Sequence, residues 1–472
     1  MTTIDPRPLV PAHSPAAPAA RRVSLPMANH RPRPYTGPSK AEVVATREQY
    51  LSPGLFHIYK EPLMIVEGNM QYLWDETGKQ YLDGFAGIVT VSVGHCHPRV
   101  VERVQRQVET LTHATTIYLH PTIGEFGKLL AEHFPAGSGL TQSYFTNSGS
   151  EANEVAFLSA REFTGNVDII SLRNGYHGGT SATMGAVAHS SWKFKSNVSA
   201  NNKYATPGYC YRCPLGLTYP SCGVKCARDT EELIRYETSG QVAAFIGEPI
   251  QGVGGVVVPP PEYFKIVYDI VRKYGGLCIA DEVQTGFGRT GDHFWGFENW
   301  GVTPDMVTMA KGIGNGIPLG AMTTRPDIAK MMKNRIHFNT FGGNPISMAQ
   351  GLATLQVIDA EGIQRNAREV GGYLKGLLME LMEKQPLIGD VRGMGLMLGV
   401  ELVRDRQTKE PASTETAEVL ELARERGVLL GKGGLYGNVL RIKPPMCLTK
   451  EDAAYLAQTI DEALTMIAAR TK

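Results

Sequence analysis

No apolar run in this 472-residue chain approaches the roughly 18–20 residues that a spanning helix requires, so no transmembrane segment is expected. Excess charge is missing as well. The formal net charge is +1, which removes any electrostatic case for nucleic acid or an anionic membrane as partner. Cysteine is sparse: seven residues, an odd number, scattered with no signal-peptide pattern ahead of them. That excludes a disulfide framework and points to a reducing compartment, with the cytoplasm as the expected location. Internal repeats are absent, which excludes a solenoid. Acids are nearly absent from the first 34 residues, where Asp5 stands alone among Arg7, Arg21, Arg22, Arg31 and Arg33. An arginine-rich, acid-poor start reads as a transit peptide, with the mitochondrial matrix as the alternative location. Six prolines in the first 26 residues spoil an amphipathic helix, however, and favour a disordered tail or an arm on a partner subunit.

What is present is ordinary for a globular protein: 42% hydrophobic and 20% charged residues, in a chain long enough for about two or three packed units. Val167–Ile170, Val242–Ile246, Leu277–Ala280 and Met306–Ala310 read as short buried strands. Between the second and third, Phe264, Val267, Tyr268 and Val271 recur at helical spacing, and Gly275-Gly276 ends the helix. Helices between buried strands predict an α/β fold with a mostly parallel sheet covered by helices. From about Pro345 a long helical stretch leads into a glycine-punctuated strand pattern (Gly389–Leu402). Helices follow at Thr414–Arg426 and Glu451–Ala469, a smaller α+β lobe. The expected organisation is a tail or arm over 1–40, a segment over 41–85 packing with the small domain, a large domain over 86–344, and a small domain over 345–472. Val187–Asp229 is expected to leave the core, with a cysteine-rich insert at about 205–228.

Two motifs carry chemistry. Asp281 ends the apolar run Leu-Cys-Ile-Ala, and Lys311 ends Met-Val-Thr-Met-Ala; glycine-rich chain follows each. In a parallel sheet ligands bind beyond the carboxyl ends of the strands, so Glu248, Asp281 and Lys311 are expected on one edge. An amine that forms a Schiff base with an aldehyde, near a buried carboxylate that keeps a pyridine nitrogen protonated, is what pyridoxal phosphate chemistry needs. Glu282 rivals Asp281, but alternation along a strand points it the other way. Thr146–Asn153 joins a strand to a helix start. Free backbone N–H groups and the helix dipole there form an anion site.

The Asp281 and Lys311 motifs resemble those of the class III (fold type I) aminotransferases, and the likeness runs from about Leu55 to Ala469. Tyr81–Pro98 and Leu440–Lys450 look like the alanine–glyoxylate aminotransferase 2 branch of that family. The resemblance implies a fold type I transferase with pyridoxal 5′-phosphate as cofactor and Lys311 and Asp281 as catalytic residues. It implies cofactor contacts from Ser148, Gly149 and Ser150 to the phosphate, Tyr176 to the ring face, and Gln284 near the phenolic oxygen. Thr340 matches a residue that reaches the cofactor phosphate of a neighbouring subunit, which implies a homodimer with shared sites, or a tetramer. Arg441 matches the arginine that grips the substrate carboxylate, and Glu248 a glutamate that pairs with it in some members. Phe85, Ile88 and Val89 are implied in the pocket wall. His177 is read as structural.

The implied reaction is a ping-pong transamination through the Lys311 Schiff base, between alanine, β-alanine or a similar ω-amino acid and glyoxylate or pyruvate. The alternative is a 4-aminobutyrate-, ornithine- or taurine-type aminotransferase using 2-oxoglutarate. Small-molecule donor and acceptor are then the partners. Cys210, Cys213, Cys222 and Cys226 form C-x2-C-x8-C-x3-C, a zinc-like pattern that an iron–sulfur cluster could share. The short spacing between pairs and Pro214 and Pro220 argue against it, so no metal is expected there; free thiols or a redox bond are the other readings.

Overall fold

The computed structural model describes residues 23–196 and 201–470. Arg7, Arg21 and Arg22 lie outside the described residues, and with them most of the transit-peptide and tail readings. From Val23 onward the chain packs on itself. Val23 N donates to Gln458 Oε1 at 2.7 Å, and His30 Nε2 lies 2.6 Å from Glu67 Oε1.

Seven strands build the central sheet: β1 (Gln142–Thr146), β2 (Ile169–Leu172), β3 (Asn202–Ala205), β4 (Ala244–Gly247), β5 (Leu277–Asp281), β6 (Met306–Met309) and β7 (Gly320–Thr324). Their spatial order is β1-β7-β6-β5-β4-β2-β3. The pairings from β6 to β3 are parallel, and β7 runs antiparallel to both its neighbours. Every residue of β2, β4, β5 and β6 is buried, which is why they read as continuous apolar runs rather than alternating ones. Helices α1 (Gly149–Thr164) and α2 (Tyr263–Lys273) are among the covering elements; Tyr263, Phe264, Val267, Tyr268 and Val271 form the buried stripe of α2. β3, inside the stretch expected to leave the core, is instead the edge strand of this sheet. Its polar Asn202 and Lys203 hid it from a hydrophobic pattern.

A second sheet orders Ile388–Met394, Met397–Asp405, Val439–Ile442 and Gly431–Gly433. The first two form a hairpin at Gly395. Its φ of +52° suits glycine, and a Cβ there would fall 2.4 Å from the Arg289 carbonyl oxygen. A third sheet pairs Ile65–Asn69, Tyr72–Asp75 and Gln80–Asp83 with Val428–Leu429, the last running parallel to Gln80–Asp83. Residues early in the chain are thereby held to residues near its C-terminus.

The cysteine-rich segment is anchored through a buried carboxylate. Glu401, on the second sheet, accepts from Tyr209 Oη and from Arg212 Nε at 2.5 Å, and pairs with Arg392 Nη1 at 2.7 Å. Burial acts to raise its pKa, but Arg392, Tyr209 and Arg212 overcome that and hold the carboxyl below the ordinary glutamate range. Such a group contributes stability above the unfolded pKa and loses it as pH falls through the folded one. Glu401→Ala strips Arg212 of its carboxylate, leaves Arg392 with Asp390 as its remaining carboxylate partner, and is expected to cost about 2–3 kcal/mol. Urea denaturation at neutral pH tests this, and the gap to wild type should close in acid. A loss under about 1 kcal/mol, the range of an exposed pair, would show the network to be dispensable.

Cys210, Cys213, Cys222 and Cys226 are free thiols. Burial pushes the Cys226 thiol up to about 11, with the other three close enough to add to the effect. Among the described residues no group of three or more His, Cys, Asp or Glu side chains is arranged to hold a metal ion.

Candidate active site

Where β5 and β6 end, their last residues and the turns after them face a cavity with the start of α1. Its wall includes Gly149, Ser150, Asn153, Tyr176, His177, Gly178, Glu248, Asp281, Gln284 and Lys311, around about 550 Å³ of atom-free space, the open mouth included. This is the carboxyl edge of the parallel strands, where the crossover connections leave room for a ligand. Glu248, Asp281 and Lys311 are brought together there as expected.

Asp281 is the last residue of β5 and is 3% exposed. Its Oδ2 accepts from Asn153 Nδ2 at 3.0 Å and lies 2.8 Å from His177 Nδ1; its Oδ1 accepts from Val283 N at 3.2 Å. Beside a carboxylate, Nδ1 is the imidazole nitrogen that carries the proton. Asn153 and His177 are site residues that the sequence reading missed: Asn153 sat inside a quoted motif, and His177 resembled any histidine in a glycine loop. Glu282 does point away. It accepts from Thr285 Oγ1, Gly296 N and Phe297 N, and burial raises its pKa to about 7.

Lys311 begins the turn after β6 with φ of +53°, a left-handed conformation uncommon for a lysine. Its amine has no hydrogen-bond partner among the described residues. Burial lowers its pKa to about 8; Asp281 and Glu248 oppose that shift, and Arg441 adds to it. A lysine lowered this far has a substantial neutral fraction near pH 8, and only the neutral amine is a nucleophile or base.

At the start of α1 Ser148 is the cap, its Oγ accepting from Glu151 N at 3.2 Å, so Gly149 and Ser150 are the first residues of the helix. Their N–H groups have no partner among the described residues. The Ser148 hydroxyl is committed to this cap. Gly178, at φ +140°, closes over this end: a Cβ there would fall 2.5 Å from Ser150 Oγ. Ser150 Oγ also accepts from Gly179 N at 3.1 Å. Tyr176 stands on the cavity wall with its ring edge-on to Trp192, centroids 5.2 Å apart.

Arg441 is 7% exposed, and its Nε and Nη1 are buried without a partner. The expected ion pair with Glu248 is not formed. Glu248 accepts instead from Tyr176 N at 3.0 Å and Gly252 N at 2.8 Å, two backbone donors that occupy both its oxygens. The Arg441 guanidinium lies 5.1 Å from the centroid of Phe85. Phe85 leads into a left-handed turn, Ala86 to Val89, all four at φ between 51° and 66°. Such a turn costs about 1–2 kcal/mol per non-glycine residue. Asp83 Oδ1 holds its start, accepting from Phe85 N and Ala86 N. Ile88 is 47% exposed, so Phe85 is the implied wall residue that meets Arg441. Thr340 is exposed and lies off this chain's cavity wall.

A neutralisable amine, a buried carboxylate, free helix-end amides and an unpartnered guanidinium fit a phosphorylated aldehyde cofactor with a ring nitrogen, and a substrate carboxylate beside it. The family model described as Aminotransferase class-III matches residues 57–464. Over 441 residues the chain is 52% identical to "Alanine--glyoxylate aminotransferase 2 homolog 2, mitochondrial" of Arabidopsis thaliana, covering 93% of this chain and 91% of the relative. It is 39% identical over 461 residues to "Alanine--glyoxylate aminotransferase 2, mitochondrial" of Homo sapiens, covering 93% and 89%. Among solved structures, a PLP-bound amine transaminase from an uncultivated Pseudomonas species superposes with TM-score 0.82 at 32% identity, covering 88% of this chain and 97% of that one. The expectation of a cytoplasmic location gains no support from these two sequence relatives, whose names place them in mitochondria. Among the described residues no helix is long and apolar enough to cross a membrane.

Proposed function

This chain belongs to the class-III aminotransferases and uses pyridoxal 5′-phosphate, and on that premise we propose that it moves an amino group from alanine, β-alanine or a related ω-amino acid to glyoxylate or pyruvate. The observation that carries the reading is the gathering of the Lys311 amine, the Asp281 carboxylate and the free amides of Gly149 and Ser150 on the wall of one cavity. Bound there, the cofactor supplies an aldehyde for covalent attachment and a ring that accepts an electron pair.

The residues divide the work by position. Gly149 N, Ser150 N and the dipole of α1 bind the phosphate. Tyr176 bounds the ring face. Asp281, oriented by His177 and Asn153, keeps the ring nitrogen protonated. Lys311 would hold the cofactor through its aldehyde, and its amine, when free, would take the proton from the donor carbon. Arg441, with two nitrogens unpartnered, binds the substrate carboxylate through parallel hydrogen bonds. Each donor leaves as an oxo product before the acceptor enters the same site, which makes the cycle ping-pong. Thr340, exposed in its own chain, serves the partner's site in a homodimer.

The half-reaction tests this reading. Bleaching of the bound cofactor's absorbance by alanine or β-alanine, reversed by glyoxylate or pyruvate, is the expected result. Bleaching only by ornithine, 4-aminobutyrate or taurine, with 2-oxoglutarate reversing it, would move the protein to that branch. No bleaching by any donor would sink the assignment of donor and acceptor. One pH dependence follows from the amine. Covalent capture of added cofactor by apoprotein is expected to quicken as pH rises through about 8, where Lys311 loses its proton, and to level off above that. A midpoint near the ordinary lysine value of about 10.4 would contradict the buried, unpaired placement of the amine.

A further inference from the structure

Lys443 is a buried lysine with no part in the reaction outlined above. It follows strand Val439–Ile442 and lies two residues beyond Arg441, so alternation puts both on one face. It is 0% exposed, and its Nζ donates to Gln284 Oε1 at 2.7 Å across 159 positions of sequence. Burial holds its pKa well below the ordinary lysine range, and Arg441 and Lys311 push the same way. Glu248 opposes them, and Arg289 adds a third cationic neighbour. Arg289 turns its Nη1 to the carbonyl oxygens of Leu396 and Pro444. A lone buried amine among cations is costly, and a single hydrogen bond is a small return for it.

Gln284 is as confined as its partner. It is 6% exposed and stands on the cavity wall. A Cβ on Gly252 would fall 2.2 Å from its Oε1, so the amide fills the space that glycine leaves. A carboxamide has one accepting end and one donating end. With Oε1 held by the Lys443 amine, Nε2 is the end left for the cavity.

We propose that Lys443 is a positioning residue: by holding Gln284 Oε1 it fixes the amide with its N–H donors toward the cavity, where they stabilise an oxyanion of the bound cofactor. The inference builds on the reading that places Gln284 near the cofactor's phenolic oxygen, and adds what decides which end of the amide that oxygen meets. A donor at a phenolate draws charge from it and makes a nearby protonated nitrogen easier to deprotonate. Loss of the donor moves that titration to higher pH.

The test is a pH titration of the visible absorbance of holoenzyme, for wild type, K443M, K443R, Q284L and the double variant K443M/Q284L. The midpoint is expected to rise by about one pH unit in K443M and in Q284L. K443R is expected to restore it in part, and the double variant to rise no further than Q284L alone. If Q284L shifts and K443M does not, Lys443 is merely structural and the proposal is overturned. A double variant that exceeds Q284L also overturns it, since Lys443 would then act through its own charge. If neither single variant shifts while cofactor stays bound, the underlying reading of Gln284 fails instead, and the proposal falls with it. Should K443M not hold cofactor, G252A crowds the Gln284 amide without touching the lysine. It must give the same rise, and an unchanged midpoint there overturns the proposal.

Discussion

Lys311→Ala is expected to lower the rate of the donor half-reaction by at least about 10³–10⁴-fold, the largest effect of any single substitution in this protein. Two functions end together: covalent attachment of the cofactor and proton transfer at the donor carbon, the latter alone typically contributing 10²–10⁴-fold. No substitute base is positioned for the task. Asp281 is engaged by His177 and Asn153, Glu248 by two backbone amides, and Lys443 by Gln284. Single-turnover measurement with saturating donor reads the loss directly. Added small primary amines should return part of the rate, because the cavity keeps its shape when only the lysine side chain is removed. A variant within tenfold of wild type would mean that another group is the base.

Asp281→Asn is expected to be nearly as damaging, by about 10²–10⁴-fold in kcat, for an electrostatic reason. The carboxylate is buried and faces the cavity, so its charge is poorly screened there. Removing one member of a buried charge pair costs about 3–5 kcal/mol, and each 1.36 kcal/mol is a factor of ten in rate. Asparagine keeps the volume and part of the hydrogen bonding to His177 and Asn153 while removing the charge. Cofactor binding should weaken too, measured by equilibrium dialysis, whereas Asp281→Glu should retain more activity than the asparagine variant. If D281N kept kcat within a few-fold, the ring nitrogen would not need a proton held on it, and the role given to Asp281 would be wrong.

The two positions proposed as catalytic could be read without a structure because of the way parallel sheets are built. Each central strand is buried on both faces and so is written as a short apolar run; the first polar residue after it stands at the carboxyl edge. Asp281 and Lys311 both satisfy that rule. The same rule, with strand alternation, separated Asp281 from Glu282, which binds a neighbouring turn instead. The capping serine before α1 marked the helix start, though it could not show that the Ser148 hydroxyl closes on Glu151 N. β3 escaped because an edge strand with polar residues leaves no apolar run to find.

The amino-acid sequence alone determined the alternation of strands and helices, the positions of the amine and the carboxylate, and the family likeness, since all three are written in local runs of a few residues. Only the tertiary structure decided what those groups touch. His177 meets Asp281 across 104 positions, Asn153 meets it across 128, and Lys443 meets Gln284 across 159. Arg441 finds no partner in Glu248, whose oxygens are taken by the backbone amides of Tyr176, 72 positions away, and of Gly252 on its own loop. The physical reason is range: propensity and periodicity act over one or two turns of chain, whereas burial and hydrogen bonding are settled by whichever groups packing brings within about 3 Å.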